Sequence, residues 1–140
     1  MKKLIGIIAI LTIIFIYGCS KQPSSIKAKQ DGKPLIVMYG DFKCPYCKKV
    51  EDKVMPKLRN KYIDKNKVKF QYVNLAFIGK DSIIGSRAQQ AVNHYAPKYS
   101  LQFQKLMFEH QKDEDKKWIT HTLIDKQIDK LNISNKTKDK

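Results

Sequence analysis

The chain has 140 residues, with 28 Lys and Arg against 13 Asp and Glu, a formal net charge of +15 and three cysteines. That length holds one domain at most. The charge raises three candidate partners: nucleic acid, an anionic membrane and a cell-wall polymer. Nucleic acid is set aside, because the lysines are dispersed among acids, as in Lys48-Lys49-Val50-Glu51-Asp52-Lys53, and no nucleic-acid motif accompanies them. A lysine-, isoleucine- and asparagine-rich composition of the kind AT-rich genes encode accounts for the excess.

Lys2 and Lys3 precede an uncharged stretch of fifteen residues, Leu4 to Gly18, and Cys19 follows directly. A basic start, an apolar core and a small residue before the break describe a secretory signal peptide over residues 1–18. Spanning a bilayer as a helix takes about 20 apolar residues, so a permanent span is the weaker reading. Ile16, Gly18 and Cys19 suit a bacterial lipobox, with Cys19 as the lipid-attachment residue. The bland alternative is a short apolar segment with an incidental cysteine. Residues 19–33 are polar, contain Pro23, Ser24, Ser25 and Gly32, and read as a flexible tether. A lipid on Cys19 would hold the domain on the outer face of the cell membrane without crossing it.

Residues 34–80 read as a βαβ unit. Leu35-Ile36-Val37-Met38-Tyr39 is an apolar run between Pro34 and Gly40, which predicts a strand buried on both faces. Tyr46, Val50, Val54 and Leu58 recur every fourth residue and predict one buried helix stripe. Pro45 suits the first helical position, and Pro56 should kink or shorten the helix. Val68 to Val73 alternates apolar and polar residues and predicts a second strand, parallel to the first. Residues 81–131 are helical in pattern. Ser82 is the expected cap of a helix carrying Ile84, Ala88, Ala91, Val92 and Tyr95 and ended by Pro97. Phe103, Leu106, Met107 and His110 mark a second helix, and Ile119, Leu123, Ile124, Ile128 and Leu131 a third. Residues 132–140 form a polar, basic tail with no further strand pattern.

Cys44-Pro45-Tyr46-Cys47 lies where the first strand hands over to the first helix. Disulfide exchange needs an exposed, stabilised thiolate. A cysteine just before a helix faces the unsatisfied N–H groups of the first turn and the positive end of the dipole. Cys44 is therefore the expected nucleophile and Cys47, one turn on, the more buried resolving residue. A helix terminus contributes up to about 2 kcal/mol, which takes a thiol from about 8.5 to about 7. A strongly oxidising centre needs about 3.5, and Lys43, Lys48 and Lys49 read as screened surface charges that add little. A zinc site needs four ligands, and His94, His110 and His121 are scattered over separate helices, so no metal site is expected. A purely structural disulfide fits poorly, because so small a loop restrains the unfolded chain little. Asp41 has two readings, a proton relay to Cys47 or a turn residue. Glu51 reads as a solvated helix charge. Gly79-Lys80-Asp81 departs from a phosphate loop, with Asn74 at the first glycine position and Asp81 at the Ser/Thr position.

Tyr39-Gly40-Asp41-Phe42-Lys43-Cys44-Pro45-Tyr46-Cys47 resembles the active-site segment of DsbA-family thiol–disulfide oxidoreductases, in particular the DsbA lipoproteins of Gram-positive bacteria. The resemblance implies a thioredoxin-like α/β fold with a helical subdomain inserted after the second strand. It also implies Cys44 and Cys47 as the redox pair, supported by Pro45 and Tyr46, with no bound cofactor. The implied activity is disulfide formation in exported proteins with unpaired cysteines, with a redox partner of unstated identity. The family's fold continues with two strands and a helix, preceded by a cis-proline loop. The prolines here are Pro23, Pro34, Pro45, Pro56 and Pro97, none of which matches that loop, and nothing after Leu131 resembles the C-terminal β-β-α portion. The expectation is a truncated or split member, with Leu35 to Tyr39 as an apolar edge. Three alternatives stand beside the oxidase: a redox-inactive lipoprotein remnant, a disulfide reductase or isomerase, and a basic surface-binding module.

Overall fold

The computed structural model describes residues 32–138. The leader, Cys19, almost all of the tether and the last two residues of the tail lie outside the described residues.

Two parallel strands, β1 (Leu35–Gly40) and β2 (Lys69–Asn74), pair in register from Leu35 opposite Lys69 to Gly40 opposite Asn74. Helices α1 (Pro45–Lys53) and α2 (Met55–Leu58) and a π-helical turn (Arg59–Ile63) connect them. This is the βαβ unit the sequence predicts. Burial of β1 on both faces is not observed. Met38, Phe70 and Tyr72 pack into the core from one face of the pair, whereas Tyr39 points to the other face and is 53% exposed. Alternation along a strand makes that division unavoidable once the helices cover one face.

Pro56 breaks the first helix as expected. It has no N–H to continue the ladder, so α1 closes at Lys53 and α2 restarts with Pro56 in its first turn. The buried stripe is shifted from the predicted one. Tyr46 and Val54 are 71% and 51% exposed, while Glu51 and Met55 are buried. Pro45 starts the helix so that Cys47 turns inward, and Glu51 and Met55 follow at four-residue intervals on the same side. The cost of placing a carboxylate there is offset by partners from outside the helix, described below.

The remaining elements are α3 (Ser82–Tyr95), a 3₁₀ turn (Pro97–Tyr99), α4 (Ser100–Glu109), α5 (His121–Asp129) and α6 (Asn135–Lys138). The N-cap of α3 is Asp81, and Ser82 sits inside the first turn. Its buried face runs through Ser82, Gly85, Ser86, Ala88, Gln89 and Val92, so Ala91 and Tyr95 face outward, contrary to the apolar pattern. Contacts with the strand unit choose that face: Ser86 donates to the Asn74 carbonyl at 2.7 Å, and Gly85 admits the Phe42 ring. Thr120 caps α5 by accepting from the Leu123 N–H at 3.1 Å. The one-turn α6 had no signature in the polar tail.

Phe42 organises the core. Its ring lies 5.3 Å from Tyr72, 5.2 Å from Phe108 and 6.3 Å from Phe103, centroid to centroid. A Cβ on Gly85 would stand 2.9 Å from Phe42 Cδ2 and 3.4 Å from Ile119 Cδ1. Gly85→Ala is therefore expected to destabilise the domain by about 1–3 kcal/mol through overpacking, despite the better helix propensity of alanine. Urea denaturation of the two proteins checks this.

Candidate active site

Only Lys43 separates Phe42 from Cys44, so the aromatic core and the redox turn are one construction. Cys44 is the N-cap of α1, with extended backbone (φ −71°, ψ 117°). Its N–H donates to the Asp41 carbonyl at 3.0 Å, and its carbonyl accepts from Lys48 N–H at 3.2 Å, which begins the helix. Gln111, beyond α4, donates through Nε2 to the Phe42 carbonyl at 2.6 Å and the Cys44 carbonyl at 3.0 Å. Pro45 follows at the first helical position, as expected, and Tyr46 is exposed beside it. An open groove of about 440 Å³, of mixed charge and lined by Pro45, Lys48, Gln111, Lys112, Asp113, Glu114 and Lys116, runs past the start of α1.

Both thiols are free and half-buried, with the Cys44 sulfur in hydrogen-bonding reach of Cys47. Burial pushes the Cys47 thiol up to about 11, and the Cys44 sulfur and the Asp41 charge add to the rise, against a lowering contact with the Asp41 backbone. A raised thiol pKa keeps the proton on at every pH below it. In the reduced protein, alkylation of Cys47 is thus expected to stay slow at pH 8 and to climb as pH rises towards about 11. Mass spectrometry of iodoacetamide-treated protein, with label located by peptide, reads this directly; equal labelling of Cys44 and Cys47 at pH 8 would contradict it.

Asp41 is fully buried. Its Oδ1 accepts from Lys43 N–H at 2.9 Å and from Ser82 Oγ at 2.8 Å, and its Oδ2 accepts from Ile78 N–H at 3.0 Å. Those contacts hold the turn and clamp the start of α3, while the Asp41 backbone and charge also act on Cys47. Lys43 is not the screened surface charge the sequence suggests. It is 3% exposed, and its Nζ lies 3.0 Å from Asp81 Oδ1. Asp81 Oδ2 accepts from Trp118 N–H at 3.0 Å and Ile119 N–H at 3.2 Å. Burial alone would raise the Asp81 carboxyl, but Lys43 and these N–H groups outweigh it and hold the carboxyl below its usual value. Lys48 pairs with Asp52 at 3.1 Å, and Lys49 lies 4.8 Å above the Tyr46 ring.

Glu51 also departs from its sequence reading. It is 5% exposed and accepts from Arg59 Nη2 at 2.8 Å and Gln104 Nε2 at 2.7 Å. Burial pushes its carboxyl up, with Arg59 and Gln104 partly offsetting. Its position four residues after Cys47 was the available signal, because that spacing places both on one helix face. Gln111 and Asp81 carried no such signal, since their partners lie far along the chain. His94 lies on α3, His110 just after α4 and His121 at the start of α5.

A thiol at a helix N-cap, a second, half-buried thiol one turn later, and a parallel βαβ unit roofed by helices define a thioredoxin-fold domain. Residues 26–140 match the family model described as Thioredoxin, and the chain belongs to that family, as a member of its DsbA branch of thiol–disulfide oxidoreductases. It is 36% identical over 109 residues to Disulfide bond formation protein D of Bacillus subtilis, covering 75% of this chain and 49% of that protein. It is 38% identical over 96 residues to the Bacillus cereus protein named Probable disulfide bond formation protein D, covering 69% and 44%. The crystal structure of oxidised BdbD from Bacillus subtilis superposes with a TM-score of 0.68 at 33% identity, over 79% of this chain and 60% of that one. The chain spans about half the length of these curated relatives.

Proposed function

We propose that this chain carries out thiol–disulfide exchange through Cys44 and Cys47, in the disulfide-forming direction, on exported proteins with unpaired cysteines. The observation that carries the reading is the asymmetry of the pair: Cys44 at the open N-cap, Cys47 one turn on with burial holding its proton. A substrate thiolate attacks Cys44 Sγ of the Cys44–Cys47 disulfide, and Cys47 departs as a thiolate that then takes up a proton. A second substrate thiolate attacks the substrate sulfur of the mixed disulfide and releases Cys44. The substrate loses two electrons and gains a disulfide; the pair gains both electrons and ends as a dithiol. The names of the relatives favour this direction over reduction or isomerisation.

The proposed site of action is outside the cytoplasm, with the domain tethered through a lipid on Cys19. The basic, apolar and small-residue pattern of residues 1–18 supports that placement. Two experiments test the reading. Stoichiometric disulfide-form protein should restore activity to reduced, unfolded ribonuclease faster than glutathione disulfide alone; equal rates would defeat the catalytic claim. Cys19→Ala should move the chain from the membrane fraction to the soluble fraction of expressing cells; unchanged partitioning would defeat the anchor.

A further inference from the structure

Tyr72 has a buried hydroxyl without a hydrogen-bond partner. Its ring is held in the core between Phe42, at 5.3 Å, and Phe108, at 5.8 Å. A buried phenol ordinarily finds a partner, so an orphan O–H in a close-packed core calls for a reason. The reason lies at Gly40, at the end of β1. A Cβ there would stand 2.9 Å from Cys47 Sγ and 3.2 Å from Tyr72 Oη. The sulfur and the hydroxyl therefore approach one small space, which exists because residue 40 has no side chain. Among the described residues, Cys47 has the Asp41 backbone and the Cys44 sulfur as polar neighbours, while the Asp41 carboxylate is occupied by Lys43, Ser82 and Ile78.

We propose that Tyr72 is a positioning residue for the redox step, a neutral O–H donor that the fold aims at the Cys47 sulfur to receive the negative charge when that sulfur leaves. This rests on the exchange reading above. When the substrate thiolate attacks Cys44 Sγ, the sulfur–sulfur bond breaks and its electron pair passes to Cys47 Sγ. That sulfur is half-buried beside the Cys44 sulfur and the Asp41 carboxylate, each of which opposes new negative charge there. The Asp41 backbone already lowers the cost of that charge, and the Tyr72 O–H is a side-chain donor at the same space with a proton to share. It does so as a donor and keeps its proton, because burial and the charges of Cys47, Asp41, Cys44 and Glu51 all push its own ionisation up. Gly40 is then more than a strand end, since any side chain would occupy the space the two groups share.

Tyr72→Phe tests this while keeping the ring contacts and removing only the orphan hydroxyl, so the variant should fold at least as well as the parent. Cys47 thiolate formation is followed by the pH dependence of its alkylation by iodoacetamide, a signature independent of turnover, in Cys44→Ser with and without Tyr72→Phe. Loss of a hydrogen bond to a charged group should reduce the thiolate fraction at a given pH about tenfold. In the parent background, Tyr72→Phe should slow mixed-disulfide formation by a similar factor and leave alkylation of Cys44 in the reduced protein unchanged. An unmoved Cys47 titration would overturn the proposal even if the protein is an active oxidase. A shift in Cys44 alkylation as large as that at Cys47 would also overturn it, as a general loosening of the site. If the parent shows no exchange at all, the titration still decides the Tyr72–Cys47 interaction.

Discussion

Cys47→Ser is expected to convert the proposed exchange centre into a trap. Substrate attached to Cys44 would no longer be released by attack from Cys47, and Cys44→Ser would abolish attachment altogether. The prediction follows from the asymmetry of the two sulfurs. Cys44 closes the N-terminus of α1, at the open end of the helix. Cys47 points back at the sheet, and burial keeps it protonated. Non-reducing electrophoresis of reduced Cys47→Ser protein mixed with an activated disulfide peptide should show a stable one-to-one adduct. The wild-type adduct should collapse to free peptide and an internal disulfide, and Cys44→Ser should form adduct no faster than an unfolded thiol. A stable adduct on Cys44→Ser, formed through Cys47, would reverse the assignment.

Asp81→Ala is expected to be among the most damaging single changes outside the aromatic core. It leaves the Lys43 ammonium buried without its counter-charge and orphans the Trp118 and Ile119 N–H groups. Breaking a buried pair from one side costs about 3–5 kcal/mol. For a domain of this size that lowers Tm by at least about 12 °C. Lys43→Met should cost less, because the carboxylate keeps both N–H donors. Lys43→Met combined with Asp81→Asn should be milder than Asp81→Asn alone, since the pair is then removed together. Calorimetric unfolding of the four variants checks the order, and equal losses for Asp81→Ala and Lys43→Met would remove the asymmetry from the account. The pair ties the redox turn to the segment before α5, so its loss should also quicken exchange of the Cys44 and Cys47 amide protons.

The local grammar of the chain was legible in its residues. Both strands, their parallel pairing, the helix opening at Pro45 and its interruption at Pro56 follow from rules acting within a few residues. The proposed redox pair was legible as a candidate for the same reason, because a cysteine at a helix start has a chemical meaning independent of the rest of the fold. The faces of α1 and α3 were not legible. Periodicity counts apolar residues, yet the α1 face buries Glu51, whose partner Gln104 is supplied by α4, and the α3 face buries Ser82, Ser86 and Gln89. Such faces are decided by partners contributed from elsewhere in the chain. Lys43 illustrates the same limit. Beside Cys44 in sequence it looks like a surface cation, and only Asp81, 38 residues later, makes its burial tolerable. Residues 26–140 match the family, but the polar clamp on the redox turn became visible only in three dimensions.

Equilibration of the chain with glutathione buffers, followed by acid quench and thiol counting, tests a disulfide-forming centre most directly. The predicted result is a single two-electron transition between dithiol and internal Cys44–Cys47 disulfide, depending on the square of glutathione over glutathione disulfide. Its midpoint should lie above about −200 mV, towards the DsbA value of about −120 mV. A midpoint well below about −200 mV, or glutathione bound singly to Cys44 with no internal disulfide, would contradict a disulfide-forming centre.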